Sequence, residues 1–265
     1  MLERVLIPLD GTADSESVVP VLEPILERRG SEIFLVRTLS PSGSPGPLQE
    51  ADRYLKGVAG RFREDACVHT LVGVGSPPQV IESLAAGEEV TLIAMPARGE
   101  EIGPVLQRLL LNSARPVVAL SPPAAGPADR VSRKSAGGRK TILAPLDGSL
   151  ESRRSLPLAL ELAGVLDARV ILMRVLERDL EETEALHDLH DVAHRLARQG
   201  LNAEIWIESG DPAEKILQVC RDEDVQMVVL TTHGRSEQPD RVFGTVTREI
   251  LNRSPVPVLA IHARG

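Results

Sequence analysis

The chain has 265 residues and a formal net charge of −8, without a dense run of basic residues. This charge argues against nucleic acid or an anionic membrane as the main partner. Aromatic residues make up only 2% of the sequence, so the core must consist mainly of leucine, valine, isoleucine and alanine.

The sequence also bears on the cellular compartment. Two cysteines are too few for a disulfide framework, and reduced thiols are the simpler interpretation. The N-terminal residues lack the pattern of a signal peptide, and no apolar run approaches the ~18 residues that a membrane span needs. We therefore expect a cytoplasmic protein.

One segment of the chain occurs twice. Residues 6–12 read LIPLDGT, and residues 143–149 read LAPLDGS. This repeat predicts two domains, at residues 1–122 and 140–265, each long enough to bury its own core. Residues 123–139 are rich in proline, alanine, glycine and serine and lack apolar periodicity, which predicts a linker.

The two copies share one order of predicted elements. In the first copy these are strand 5–9, helix 17–29, strand 33–36, helix 49–63, a third strand without assigned bounds, a helix from Ser76, strand 90–94, a last helix and strand 117–120. In the second they are strand 142–146, helix 152–166, strand 170–175, helix 180–199, strand 203–207, a helix from Asp211, strand 225–230, a last helix and strand 256–261. This alternation predicts an α/β fold: two doubly wound domains, each a five-stranded parallel sheet with helices on both faces.

Two matching segments mark the start of a helix. Ser76-Pro77-Pro78-Gln79 and Asp211-Pro212-Ala213-Glu214 each place a capping residue before a proline, with glutamine or glutamate three positions after the cap. This is the capping-box pattern. Its presence in both copies strengthens the predicted helices.

A ligand site is expected beyond the carboxyl ends of the strands, where the strand order reverses. In the second copy, Asp147-Gly148-Ser149 follows the first strand, and Gly244 and Thr245 open the last helix. Glycine and a hydroxyl residue at a helix start present free amide groups to an anion. Ordinary structural explanations also apply, since Gly-Thr is a common helix cap and Asp-Gly-Ser suits a tight turn. The residues alone leave both interpretations open.

In combination, these features resemble the universal stress protein family. ATP-binding members of that family carry Gly-x2-Gly-x9-Gly-Ser/Thr after the fourth strand and an aspartate after the first. Gly234, the nine residues that follow it, and Gly244-Thr245 match this pattern in residue type and spacing, and Asp147 matches the aspartate. Thr231 stands where the pattern has its first glycine. The resemblance covers both copies.

The resemblance implies a Rossmann-like fold and an ATP site in the second copy, with Mg²⁺ as a candidate companion of the nucleotide. Asp147 would contact the nucleoside and Val175 would pack on the base, while the glycines and Thr245 would bind the phosphates. Arg235 is either a phosphate contact or a solvated loop residue. The full predicted set is Pro145, Leu146, Asp147, Ser149, Val175, Thr231, His233, Gly234, Arg235, Gly244, Thr245, Val246 and Thr247.

The first copy lacks this pattern. After its fourth strand, Arg98-Gly99 is followed by only three residues before Gly103-Pro104. Proline replaces the hydroxyl residue and removes a backbone donor. The first domain is therefore predicted to keep the fold without the nucleotide site, although Asp10-Gly11-Thr12 is retained.

The histidines offer alternative chemistry. His187, His190 and His194 share one face of a predicted helix and could bind zinc, but their acidic and polar neighbours favour a solvated surface. His233 has no evident nucleophile partner in the sequence, so a role in shaping the loop or lining the ligand is favoured over general-base catalysis. Neither a catalytic residue nor a resident metal is assigned.

The sequence is consistent with three functions. The first is a stress-response regulator that binds ATP in its second domain with little or no hydrolysis. The second is a nucleotide-independent scaffold that acts through partner proteins, and the third, less favoured, is a nucleotide hydrolase or transferase on a related fold. In this family the closing strands commonly pair across a dimer, so strands 117–120 and 256–261 are expected to pair within the chain as a pseudo-dimer. A homodimer is left open.

Overall fold

The computed structural model describes residues 1–41, 46–97, 103–121, 140–176, 182–198, 202–233 and 243–262. The chain divides into two compact units. The main part of the first unit is Met1–Leu120, and that of the second is Ser121–Ile261. The predicted linker, 123–139, lies outside the described residues, and the bounds of the two domains stay a prediction. Within the described ranges, no helix is long and apolar enough to cross a membrane.

The first unit contains a five-stranded parallel sheet in the order β3-β2-β1-β4-β5. Its strands are β1 (Arg4–Pro8), β2 (Glu32–Leu39), β3 (Cys67–Val74), β4 (Leu92–Pro96) and β5 (Val117–Ser121). Its helices are α1 (Ala13–Glu16), α2 (Val19–Arg29), α3 (Gly46–Ala59), α4 (Pro77–Gly87) and α5 (Pro104–Asn112).

The second unit repeats this order as β10-β9-β6-β7-β8, again in parallel. Its strands are β6 (Thr141–Pro145), β7 (Arg169–Leu176), β8 (Ala203–Ser209), β9 (Val225–Thr231) and β10 (Val258–His262). A 3-10 turn, Ser152–Ser155, precedes helices α6 (Leu156–Leu166), α7 (Glu182–Ala197), α8 (Pro212–Asp222) and α9 (Thr245–Arg253).

The strand order explains why both faces of each sheet are covered. In the second unit, α6 and α7 connect strands that step outward from β6 in one direction, whereas α8 and α9 connect strands on the way back. Because parallel crossovers are right-handed, these two pairs of helices lie on opposite faces, and α8 packs against α9. The central strands are buried and aliphatic, as in Ile142, Leu143 and Ala144, each 0% exposed. The predicted α/β fold is confirmed.

Two local predictions need correction. The first helix of the first unit begins at Ala13 and breaks before Val19, whereas one helix was predicted over 17–29. It begins early because the Thr12 hydroxyl accepts the Ser15 amide at 3.1 Å and caps α1. The second correction concerns Ser76, whose side chain makes no capping hydrogen bond although α4 begins at the next residue. Asp211 does cap α8, accepting the Glu214 amide at 2.9 Å.

Candidate functional site

The predicted site residues that the structure describes lie at the switch point of the second sheet. Strand β6 lies between β7 and β9, so the chain leaves it toward one edge and returns on the other side. The carboxyl ends of β6 and β9 flank this reversal, which is the usual ligand position in open α/β sheets. Three segments that contain predicted site residues lie at the carboxyl ends of the strands: the turn after β6, the end of β7, and the end of β9 with the start of α9.

The turn after β6 is held by the Asp147 carboxylate. The amide and hydroxyl of Ser149 donate to Asp147 Oδ1 at 2.9 and 2.6 Å, and the Ser149 hydroxyl accepts the Ser152 amide at 3.0 Å. Asp147 itself is only half-buried. Its Oδ1 is thus a structural acceptor, and its place at the strand end also suits a ligand contact, so both interpretations of this aspartate stand.

Gly148 is required by the same turn. Its φ is +84°, in the left-handed region, and a Cβ added there would overlap the guanidinium of Arg174. Arg174 lies on β7 and is only 6% exposed. Arg174 is absent from the predicted site set, because no sequence pattern places a buried guanidinium beneath the turn.

The end of β9 and the start of α9 are tied together by hydrogen bonds. The Gly244 amide donates to the Thr232 carbonyl at 2.9 Å, and the Thr247 hydroxyl donates to the Thr231 carbonyl at 3.0 Å. The Thr231 hydroxyl donates to the His233 carbonyl at 2.6 Å. Thr231, the departure from the family pattern, therefore stabilises the loop entrance. Thr247 is buried, and its hydroxyl donates to this tie, while its predicted phosphate contact stays a prediction.

The N-terminus of α9 is open in three respects. Gly244, the N-cap residue, provides no side-chain cap, and no acidic residue occupies the first turn. Thr245 is exposed, and Val246 is 37% exposed. Among the described residues, a Cβ on Gly244 would meet only the Thr232 carbonyl, at an ordinary 3.8 Å, and its φ of −61° needs no glycine. The glycine is thus not explained by the backbone, and the helix dipole favours an anion at this end.

The other predicted residues differ in access. Pro145 and Val175 are half-buried at their strand ends, as is His233, whose Nδ1 lies 3.2 Å from the Thr232 hydroxyl. Leu146 is only 4% exposed, so its side chain belongs to the core and leaves only its backbone for a ligand. Gly234 and Arg235 lie outside the described residues.

The histidine face of α7 forms no cluster of ligands. The His187 side chain is 81% exposed, with Nδ1 3.8 Å from Asp191 Oδ2. Among the described residues, no group of three or more histidine, cysteine, aspartate or glutamate side chains is placed to hold a metal ion.

The first unit keeps the aspartate turn but differs at the last helix. The amide and hydroxyl of Thr12 donate to Asp10 Oδ1 at 2.9 and 2.6 Å, as in the second unit. Burial acts to raise the pKa of Asp10, but the hydrogen bonds from Thr12 outweigh it and lower that pKa below its ordinary value. At the start of α5, Pro104 follows Gly103, and the buried Leu106 stands where the second unit has Thr247.

The two repeated units define this protein as a tandem doubly wound α/β protein with a glycine-led helix at the switch point of its second sheet. The sequence profile of the universal stress protein family matches residues 1–122 and 138–262. The chain therefore belongs to the universal stress protein family, and it carries the family domain twice.

Relatives of one-domain length match about half of the chain. The universal stress protein Sll1654 of Synechocystis is 27% identical over 147 residues, which cover 50% of this chain and 94% of that protein. The universal stress protein Rv1636 of Mycobacterium tuberculosis is 26% identical over 141 residues, 46% of this chain and 96% of its own length.

A solved structure matches the chain over nearly its full length. A universal stress protein from Archaeoglobus fulgidus has a TM-score of 0.72 at 21% identity, covering 98% of this chain and 96% of its own. At this identity the likeness establishes the fold.

Proposed function

We propose that this chain is a stress-response regulator that binds ATP in its second unit, with little or no hydrolysis. The observation that carries the proposal is the open N-terminus of α9 beside the Asp147 turn, at the switch point of the sheet. Amide groups without a side-chain cap suit phosphate oxygens, and a carboxylate suits ribose hydroxyls. Half-buried Val175 supplies apolar surface for a base.

The contrast between the units supports a single site. Both helices of the pair α5 and α9 begin after a glycine without a side-chain cap. In α9 the next residue is the exposed Thr245, which supplies both an amide and a hydroxyl, whereas in α5 it is Pro104, which supplies neither. The proposed phosphate position therefore belongs to the second unit.

Mg²⁺ would accompany the nucleotide. It commonly takes its ligands from phosphates and water with only one or two carboxylates, so it needs no dedicated protein cage. Asp147 is the acid of the site nearest to this role by position, although its Oδ1 already accepts two hydrogen bonds.

Little or no hydrolysis is expected because the described site lacks an assembled base. His233 is the site's titratable imidazole, and its Nδ1 is engaged with the Thr232 hydroxyl at 3.2 Å. Positioning of the attacking water and neutralisation of the transferred phosphoryl group are both needed for rapid turnover. A hydrolase or transferase would show turnover that Asp147→Ala abolishes.

A matched pair of variants tests the site. Gly244→Arg fills the start of α9, and Gly103→Arg makes the same change at the start of α5, where a Cβ meets no described residue within 4 Å. Calorimetry with ATP and Mg²⁺ should give about one bound nucleotide per chain for the wild type and for Gly103→Arg, and at least tenfold weaker binding for Gly244→Arg, because the bulk blocks the open helix end.

The outcomes separate the hypotheses. Equal ATP affinity for wild type and Gly244→Arg would remove the proposed site. A wild-type protein that is purified free of nucleotide and does not bind added ATP would instead favour the partner-binding scaffold, to which the Thr231 departure points. The pairing of the closing strands and any homodimer stay predictions.

A further inference from the structure

A thiol and an imidazole lie together in the first unit, away from the strand ends considered above. Cys67 Sγ is 3.4 Å from His69 Nε2. The two residues are two positions apart on β3, so their side chains leave the same face of the sheet. Cys67 is the first residue of β3, an edge strand, and it is exposed. A small reagent can therefore reach the sulfur.

The imidazole is held in place by its neighbours. The His69 ring stacks on the buried Phe34 ring with centroids 4.9 Å apart and planes 18° apart. Its Nε2 lies 4.0 Å from Glu32 Oε2, and Glu32 forms an ion pair with Arg4 at 2.6 Å. The strand register explains this grouping: Arg4, Glu32 and Cys67 face one another across three strands, and Phe34 lies opposite His69.

The second unit lacks this pair at the matching positions. There, Arg169 takes the place of Glu32, and Glu204 takes the place of His69 by register. Arg169 Nη1 and Glu204 Oε2 form an ion pair at 2.8 Å, and Arg169 also pairs with Glu223. The fold therefore does not require a thiol and an imidazole at these positions, and the first unit differs from the second in the side chains that it places there.

Cys220, the other cysteine, provides an internal contrast. It is 5% exposed in α8, and burial raises the pKa of its thiol to about 12. A protonated and inaccessible thiol reacts slowly with oxidants and electrophiles. The chain thus contains one exposed thiol beside an imidazole and one buried thiol.

We propose that Cys67 is a modification site: a peroxide-reactive thiol, positioned by His69, that is oxidised to sulfenic acid. The Sγ proton moves to His69 Nε2, and the thiolate attacks one oxygen of hydrogen peroxide. The S–O bond forms as the O–O bond breaks, and the leaving hydroxide takes the proton from the imidazolium as water. Sulfur loses two electrons and the peroxide gains them, so thiol and peroxide yield sulfenic acid and water.

The test is a time course of oxidation in full-length protein, with dimedone as the trap for sulfenic acid and peptide mass spectrometry as the readout. The wild type should acquire the adduct on Cys67 and not on Cys220, about fivefold faster than glutathione at pH 7. Cys67→Ser should abolish it, and Cys220→Ser should leave it unchanged.

The positioning role of His69 needs its own variants. His69→Phe keeps an aromatic ring against Phe34 and removes both nitrogens, whereas His69→Gln keeps polarity and removes the ring. Both should slow the modification of Cys67 several-fold at pH 7 and change the pH dependence of its rate. Glu32 on β2 and Arg4 on β1, the charged residues that the strand register places beside the pair, are unchanged in these variants.

Two results would overturn the proposal. One is oxidation of wild-type Cys67 no faster than that of glutathione. The other is an equal rate and pH profile in wild type and His69→Phe, with melting temperatures matched to show that both are folded. Neither readout depends on ATP binding.

Discussion

Substituting Gly148 by alanine should destabilise the second unit by more than a left-handed backbone alone accounts for. An alanine at φ +84° costs about 1–2 kcal/mol. The new methyl group would also overlap the guanidinium of the buried Arg174, and forcing atoms into a packed interior typically costs about 1–3 kcal/mol. We expect a total loss of about 2–5 kcal/mol, equivalent to a melting temperature lower by about 8 °C or more.

A control separates the two causes. Gly30 also adopts a left-handed conformation, with φ +73°, but a Cβ there would meet no described residue within 4 Å. Gly30→Ala should therefore cost only the backbone component, about 1–2 kcal/mol. The difference between the two variants measures the contact with Arg174.

Urea unfolding is the suitable assay. Trp206 is the single tryptophan of the chain and lies on β8, so its fluorescence reports on the unit that contains Gly148. Circular dichroism follows Gly30→Ala in the first unit. If Gly148→Ala loses no more stability than Gly30→Ala, the inference that Arg174 is packed beneath the turn is refuted.

Three further predictions concern single side chains. Asp211→Ala should cost about 1 kcal/mol because it removes the cap of α8, and Ser76→Ala should cost close to nothing because that hydroxyl makes no cap bond; equal losses in thermal melts would contradict this. Burial raises the pKa of the Cys220 thiol from 9.0 to about 12, so its contribution to the free energy of unfolding is fully present below pH 9 and is lost between pH 9 and 12. Between pH 8 and 10.5, the free energy of unfolding of Cys220→Ala should therefore fall by about 2 kcal/mol less than that of the wild type. Parallel losses in urea titrations would refute this prediction. Thr247→Val should cost about 1 kcal/mol of stability, because it removes the hydrogen bond to the Thr231 carbonyl, and should leave ATP affinity within a fewfold of wild type; a tenfold weaker affinity by calorimetry without a change in melting temperature would instead support the predicted phosphate contact of that hydroxyl.

Elements formed by nearby residues could be predicted from the sequence. The predicted strand 225–230 is observed as Val225–Thr231, and the aspartate turns and the two prolines that open α4 and α8 are where the pattern placed them. Strand β3 was not located; all of its residues are exposed or half-buried at the edge of the sheet, so no enclosed apolar face marks it in the sequence. The other edge strand, β8, has a similar burial pattern and was located as 203–207.

The same distinction between local and long-range contacts applies to the functional residues. The repeat, the family resemblance and the segments that end at a strand can be predicted from the sequence alone, because turns, caps and periodicity depend on residues only a few positions apart. The position of Arg174 beneath Gly148, the hydrogen bond from Thr247 to Thr231 and the stacking of His69 on Phe34 beside Cys67 can be seen only in the folded chain. Those neighbours come from different strands and helices, and the register set by the crossovers between parallel strands brings them together.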